Sequence, residues 1–301
     1  MERIKQALEK ARLERQLSGG ASWSPPHASG TGLPGPVTYT HTRTIGVVKN
    51  DLQEKRIISG SQQNLFTDAY KILRTQVLQR LREKGWNSLA ITSPGINEGK
   101  TLTAINLAIS LALEVNYTVL LVDADLRHPS VHRYFGFDAE YGLSDYLTAD
   151  KPLSELLVHP EEIPGFVILP GGKPLMNSAE MLNSPKMARL VAELKTRYPS
   201  RIVLFDLPPL LSAADALAFS PYVDAALLVI EDGKTQVEEA EQALGLLQGT
   251  NVLGTVLSKS RMDIMQEQQA PDTWPGRLRD TASIYRTAVM NGLNRLRRKK
   301  S

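Results

Sequence analysis

An open α/β fold, with a doubly wound and mostly parallel sheet covered by helices on both faces, is what this chain predicts. Three observations carry the expectation. Short apolar runs rich in Val, Leu and Ile recur along the chain. Segments with helical spacing separate them. One run leads into a Gly-Lys-Thr turn, and two later runs end on aspartate. Alternation of this kind implies parallel strands joined by helical crossovers. Ligands bind such sheets off the carboxyl ends of the strands.

The elements follow in order. Residues 1–17 read as a charged amphipathic helix, with Ile4, Leu8 and Ala11 in a narrow stripe. A helix so short needs something to pack on, so docking and fraying both stay open. Residues 18–58, rich in Gly, Ser, Pro and Thr at their start, read as a linker. The main domain is expected over 59–265. A helix over 62–83 buries Leu65, Ala69, Ile72, Leu73, Val77 and Leu81. Strands are expected at 89–92, 119–122, 166–169, 202–205, 225–230 and 252–257. Residues 266–301 form a basic tail.

Composition removes several function classes. The chain has 301 residues, 42% of them hydrophobic, enough for one large domain with appendages. It has no cysteine, which excludes disulfides and cysteine-held clusters. No run reaches the roughly 18 apolar residues of a spanning helix. No signal peptide is visible either, so the expected location is cytoplasmic or peripheral to the inner membrane face.

The first motif is Ser93-Pro94-Gly95-Ile96-Asn97-Glu98-Gly99-Lys100-Thr101. An apolar run precedes it and a helical pattern follows, which is the setting of a phosphate loop. Unpaired N–H groups at a helix start attract phosphate, and the helix dipole adds to that. Gly99 lets the backbone come close. Lys100 is expected on the terminal phosphates, and the Thr101 hydroxyl on Mg²⁺. Gly95, Glu98 and Leu102 complete the expected nucleotide contacts. The usual first glycine is here Pro94.

Two acidic strand ends follow. Val119 to Val122 leads into Asp123-Ala124-Asp125-Leu126-Arg127, and Ile202 to Phe205 leads into Asp206-Leu207-Pro208-Pro209. Both carboxylate groups point toward the site if the strands are parallel. Asp206 is placed to hold Mg²⁺ through water, and the prolines stop its strand. Arg127 is expected either to orient the phosphate-side loop or to pair with Asp125, unless it makes an ordinary salt bridge. His128 and His132 share a helical spacing but lack a third ligand, so they read as surface histidines.

These three motifs, in this order, resemble the bacterial tyrosine kinases of capsule and exopolysaccharide synthesis, relatives of the septum-positioning and plasmid-partitioning ATPases. Asp68 to Thr75 and Leu169 to Leu182 resemble further family stretches. The resemblance implies ATP and Mg²⁺ as cofactors. It implies that Asp123 supports the metal and that Asp125 helps deprotonate the tyrosine. It also implies a membrane-bound chain-length (co-polymerase) partner as activator, and ring-like homo-oligomers.

The chain departs from the family in places. The ring-forming Glu-x-x-Arg-x-x-Arg helix is here Asp68, Lys71 and Arg74, which loses one bidentate fork. Near the base, Ser258 stands where relatives carry an asparagine. The usual terminal tyrosine cluster is reduced to Tyr285. A non-kinase ATP switch acting on the same membrane machinery is therefore the alternative reading. Net charge is only +3, yet the tail gathers Arg277, Arg279, Arg286, Arg295, Arg297, Arg298, Lys299 and Lys300. That segment suits an anionic membrane, a partner, or plain solvation. Nucleic acid is disfavoured, because no aromatics interleave the arginines.

Overall fold

The computed structural model describes residues 42–59, 64–114, 117–197 and 200–260. The expected 1–17 helix, the 266–301 tail and Tyr285 lie outside them. Short elements come first: strand β1 (Arg43–Ile45) and helix α1 (Lys49–Glu54). Helix α2 (Leu65–Lys84) starts on Asn64, whose side chain accepts the Thr67 amide, and stops on left-handed Gly85. Then come β2 (Ser88–Thr92), α3 (Lys100–Ala112), β3 (Thr118–Asp123) and α4 (Val131–Phe135). Helices α5 (Leu143–Ala149) and α6 (Leu153–Leu156) lead to β4 (Val158–Pro160) and β5 (Phe166–Leu169). Next are α7 (Ser178–Leu182), α8 (Pro185–Thr196), β6 (Arg201–Asp206) and α9 (Asp215–Phe219). The described chain closes with β7 (Ala225–Glu231), α10 (Val237–Leu246) and β8 (Val252–Ser258).

The strands form one sheet in the order β1-β4-β5-β3-β6-β2-β7-β8. Every pairing is parallel except β4 with β5. Strands β2 and β5 are buried at every residue, as expected of sheets covered on both faces. Two apolar clusters flank the sheet. One joins α2 and α3 to it through Val77, Leu81, Ile105 and Ile109. The other joins α8 and α9 through Leu190, Leu194, Ala216 and Phe219. Burying all of these side chains is the main stabilising term.

The linker expectation needs correcting at its end. Residues 43–54 form β1 and α1, and Val47, Leu52, Ile57 and Ile58 are buried in the first cluster. The ordered domain thus begins before residue 59. Strand β1 is the sheet edge and β4 lies next to it; Pro160, which has no N–H to donate, is the last residue of β4.

Candidate active site

Register sets the site. In the β3–β6 ladder, Asp123 lies directly opposite Asp206, so two acidic strand ends meet at one level. Strand β2, on the other side of β6, runs into the phosphate loop. Gly99 caps α3 with φ of +90°, a conformation that favours glycine. A Cβ there would also fall 3.3 Å from Ser258 Oγ. The amides of Lys100, Thr101 and Leu102 precede the first helical bond of α3, in which the Thr103 amide donates to the Gly99 carbonyl at 2.9 Å.

Lys100 is the hub. Its ammonium donates to Asp125 Oδ2 at 2.8 Å and lies 3.6 Å from Asp206 Oδ1, an ion pair too long for a hydrogen bond. It also donates to Thr101 Oγ1 at 3.3 Å, and the Thr101 hydroxyl donates to Asp206 Oδ2 at 2.7 Å. Burial opposes the Lys100 charge. Asp206 and Asp125 outweigh burial, and the amine is held well above its ordinary range. The acids are raised as well, which for them disfavours the charged form. Burial, reinforced by Asp206, lifts Asp123 to about 7, against amide bonds from Val131 and Ser130. Burial lifts Asp206 to about 6, although Lys100 and Thr101 pull it down.

Asp123 divides its labour. Oδ2 accepts the Ser130 and Val131 amides at 2.8 and 3.0 Å, fixing the start of α4. Oδ1 is buried without a hydrogen-bond partner, and so is Asp206 Oδ1. Buried carboxylate oxygens left bare are costly unless something neutralises them. Among the described residues no cluster of three or more acids and histidines forms a metal cage. Mg²⁺ does not need one, since it commonly takes one or two carboxylates and completes its shell with phosphates and water. Thr101, Asp123 and Asp206 therefore fit Mg²⁺ held jointly with a nucleotide.

Other expected contacts behave differently. The Gly95 N–H is committed to Glu98 Oε2 at 2.9 Å. Glu98 is itself buried, and its Oε1 accepts the Thr235 hydroxyl at 2.6 Å. Ser258 Oγ donates to the Glu98 carbonyl at 2.5 Å. The Gly95 amide, the Glu98 carboxylate and the Ser258 hydroxyl are thus engaged in bonds that shape the loop itself. Leu102 packs its side chain against the core. Arg127 does not pair with Asp125; its partner is Asp215. His128 and His132 form no metal site among the described residues.

Thr235, Asp215 and Ser178 escaped the sequence reading. Asp215 had a signal, a lone acid inside the small apolar run Ala213 to Ala218. Thr235 had none, because its partner Glu98 lies far away in sequence.

Known proteins resemble the chain over the region that holds this site. A family described as "AAA domain" matches residues 95–245. The tyrosine-protein kinase YwqD of Bacillus subtilis is 32% identical over 213 residues, covering 70% of this chain and 88% of that protein. The chain belongs to the bacterial tyrosine kinase family of capsule and exopolysaccharide biosynthesis. Another family member, the tyrosine-protein kinase ptk of Acinetobacter johnsonii, is 29% identical over 216 residues, but this chain spans only 29% of its length. Among solved structures, the kinase domain of the Escherichia coli tyrosine kinase ETK superposes with a TM-score of 0.61 at 28% identity, covering 74% of this chain and 89% of that one. Septum-positioning ATPases of the MinD type share the fold. Among the described residues, no helix is long and apolar enough to cross a membrane.

Proposed function

We propose that this chain is an Mg²⁺- and ATP-dependent protein-tyrosine autokinase that regulates capsule or exopolysaccharide synthesis and export. The observation that carries the reading is Asp125, one ion pair away from the phosphate-loop lysine. In P-loop proteins that lysine moves to the nucleotide's phosphates. Asp125 Oδ2 then loses its partner and is free to accept a proton. Its Oδ1 stays anchored by the His128 amide at 3.1 Å, which keeps the carboxylate aimed.

The chemistry balances simply. The tyrosine oxygen attacks the γ-phosphorus, the bond to the β–γ bridging oxygen breaks, ADP leaves, and the phenol proton passes to Asp125. Lys100 and the free amides of the first turn of α3 stabilise charge on the phosphates. Thr101, Asp123 and Asp206 would hold Mg²⁺, which would supply charge neutralisation at the phosphates. The resemblance supplies the setting, a membrane-bound chain-length partner as activator; the charge of the basic tail suits an anionic membrane surface, a partner or plain solvation.

One observation favours the alternative, an ATP switch that modifies no tyrosine. Asp125 is already engaged by Lys100, as a simple counter-ion would be. Mass spectrometry of the purified protein after incubation with Mg-ATP and the partner's cytoplasmic segment separates the two. Phosphotyrosine supports the kinase; nucleotide turnover without phosphotyrosine supports the switch. Self-assembly is proposed with less arginine available than relatives bring. Lys71 is paired with Asp68, and Arg74 with Glu114 and the Ser110 carbonyl.

A further inference from the structure

One arginine ties together the loops at the carboxyl ends of β5, β3 and β6. Arg127 follows Asp125 by two residues, and its Nε donates to Asp215 Oδ1 and Oδ2 at 3.2 and 3.0 Å. The Asp215 side chain is fully buried, and the Ser178 hydroxyl donates to its Oδ1. Ser178 opens α7 beyond β5, and Asp215 opens α9 beyond β6. The Leu175 amide closes the same corner by donating to the Leu126 carbonyl at 2.8 Å.

The bond to Asp215 consumes only the Nε edge of the guanidinium. Both Nη groups lack a hydrogen-bond or ion-pair partner among the described residues, and the Arg127 side chain remains 40% exposed. A buried carboxylate thus holds a planar donor fork in a set orientation with its outer edge open. That edge matches a carboxylate in bidentate fashion.

Strand order says who can reach it. The phosphate loop follows β2 and is braced by Thr235 after β7 and Ser258 at the end of β8. The nucleotide therefore lies toward the β2-β7-β8 flank. Arg127 lies toward the β3-β5 flank, with Asp125 between the two. An acceptor that brings its hydroxyl to Asp125 enters from the Arg127 side.

We propose that Arg127 is an acceptor-side clamp whose Nη edge grips the carboxylate of an acidic residue flanking the tyrosine to be phosphorylated. Asp215 and Ser178 are its positioning residues. The proposal rests on the kinase reading and adds a substrate preference, acidic rather than basic surroundings, so that the favoured acceptor is a tyrosine other than Tyr285, whose neighbours are Arg279 and Arg286. Because Asp215 balances the Arg127 charge and the site is partly wet, the clamp is worth about fivefold in affinity.

Direct binding tests it. The full-length protein with Mg-ADP is titrated into a fluorescein-labelled tyrosine peptide flanked by glutamates, and into its counterpart flanked by lysines, with fluorescence anisotropy as readout. Arg127→Ala weakens the acidic peptide about fivefold and spares the basic one. Asp215→Asn shifts the acidic peptide less, in the same direction. Should Arg127→Ala fail to fold, Arg127→Lys keeps the Asp215 ion pair, loses the fork, and shows the same loss of preference. No binding of the acidic peptide to wild type, an unchanged dissociation constant in the variants, or equal weakening of both peptides (as a purely structural tie would give) overturns the clamp. Loss of Mg-ADP affinity with peptide binding intact assigns Arg127 to the nucleotide and also overturns it. Phosphotyrosine formed with Mg-ATP is scored separately. Its absence in wild type sinks the kinase reading, while the binding difference stands or falls on its own.

Discussion

The two ends of the sheet hold the same chemical pair, a lysine against a carboxylate, and use it in opposite ways. At the amino end Asp224 Oδ2 accepts the Asn87 amide, the Ser88 amide and the Ser88 hydroxyl, while Oδ1 takes the Lys195 ammonium. Burial opposes the Asp224 charge, yet the Lys195 and Ser88 bonds outweigh it and hold the acid below its ordinary value. At the carboxyl end three acids crowd around Lys100, two buried oxygens lack a hydrogen-bond partner, and Asp123 and Asp206 are pushed up. Full satisfaction marks a structural pair. Crowding with orphaned oxygens marks a place built to receive charged groups.

Breaking the comparison at its most consequential point means removing Asp125. Asp125→Asn is expected to cut phosphate transfer to tyrosine at least a hundredfold, about the range a general base supplies. Mg-ATP affinity, measured by calorimetry, should suffer far less than in Asp123→Asn. Equal losses of affinity in the two variants would move Asp125 into the metal shell.

Lys100→Met strikes both roles of the hub. It should weaken Mg-ATP binding by about 1.5–3 kcal/mol, through lost charge-assisted contacts. It should also lower the stability of the nucleotide-free protein by about 3 kcal/mol in urea unfolding, because buried acids lose their cation. An unchanged dissociation constant would sink the phosphate-loop assignment.

Asp224→Ala is the counterpart at the quiet end. It orphans two amides, a hydroxyl and Lys195 together. We expect about 2 kcal/mol less stability and a Mg-ATP dissociation constant within about twofold of wild type. A large loss of nucleotide affinity would abolish the distinction between the two ends.

The smallest effect has the most telling sign. Asp123 stands near 7 in the folded protein against an ordinary 3.8, so folding retains a proton that the unfolded chain gives up. Stability from this group is therefore undiminished below the ordinary value and falls as pH rises through the window up to about 7. Asp123→Asn keeps an acceptor for the Ser130 and Val131 amides without the charge. The nucleotide-free variant should match wild type in acid and exceed it at pH 8. Equal stabilities at both pH values would remove the electrostatic crowding from the account.

Much of this molecule was legible from the chain alone. The central strands read out because a strand buried on both faces must be apolar throughout. The phosphate loop and the acids at Asp123, Asp125 and Asp206 read out because a helix start and a strand end place their groups through local geometry. The short strand β1 did not: only a partner strand gives it reason to exist. Nor did the true partner of Arg127, which is Asp215, or the brace of Glu98 by Thr235. Local sequence determined which groups would stand at the sheet's carboxyl edge. Tertiary structure decided which of them bond to each other and which stay bare, because a contact between residues a hundred positions apart exists only once the loops from separate strands converge.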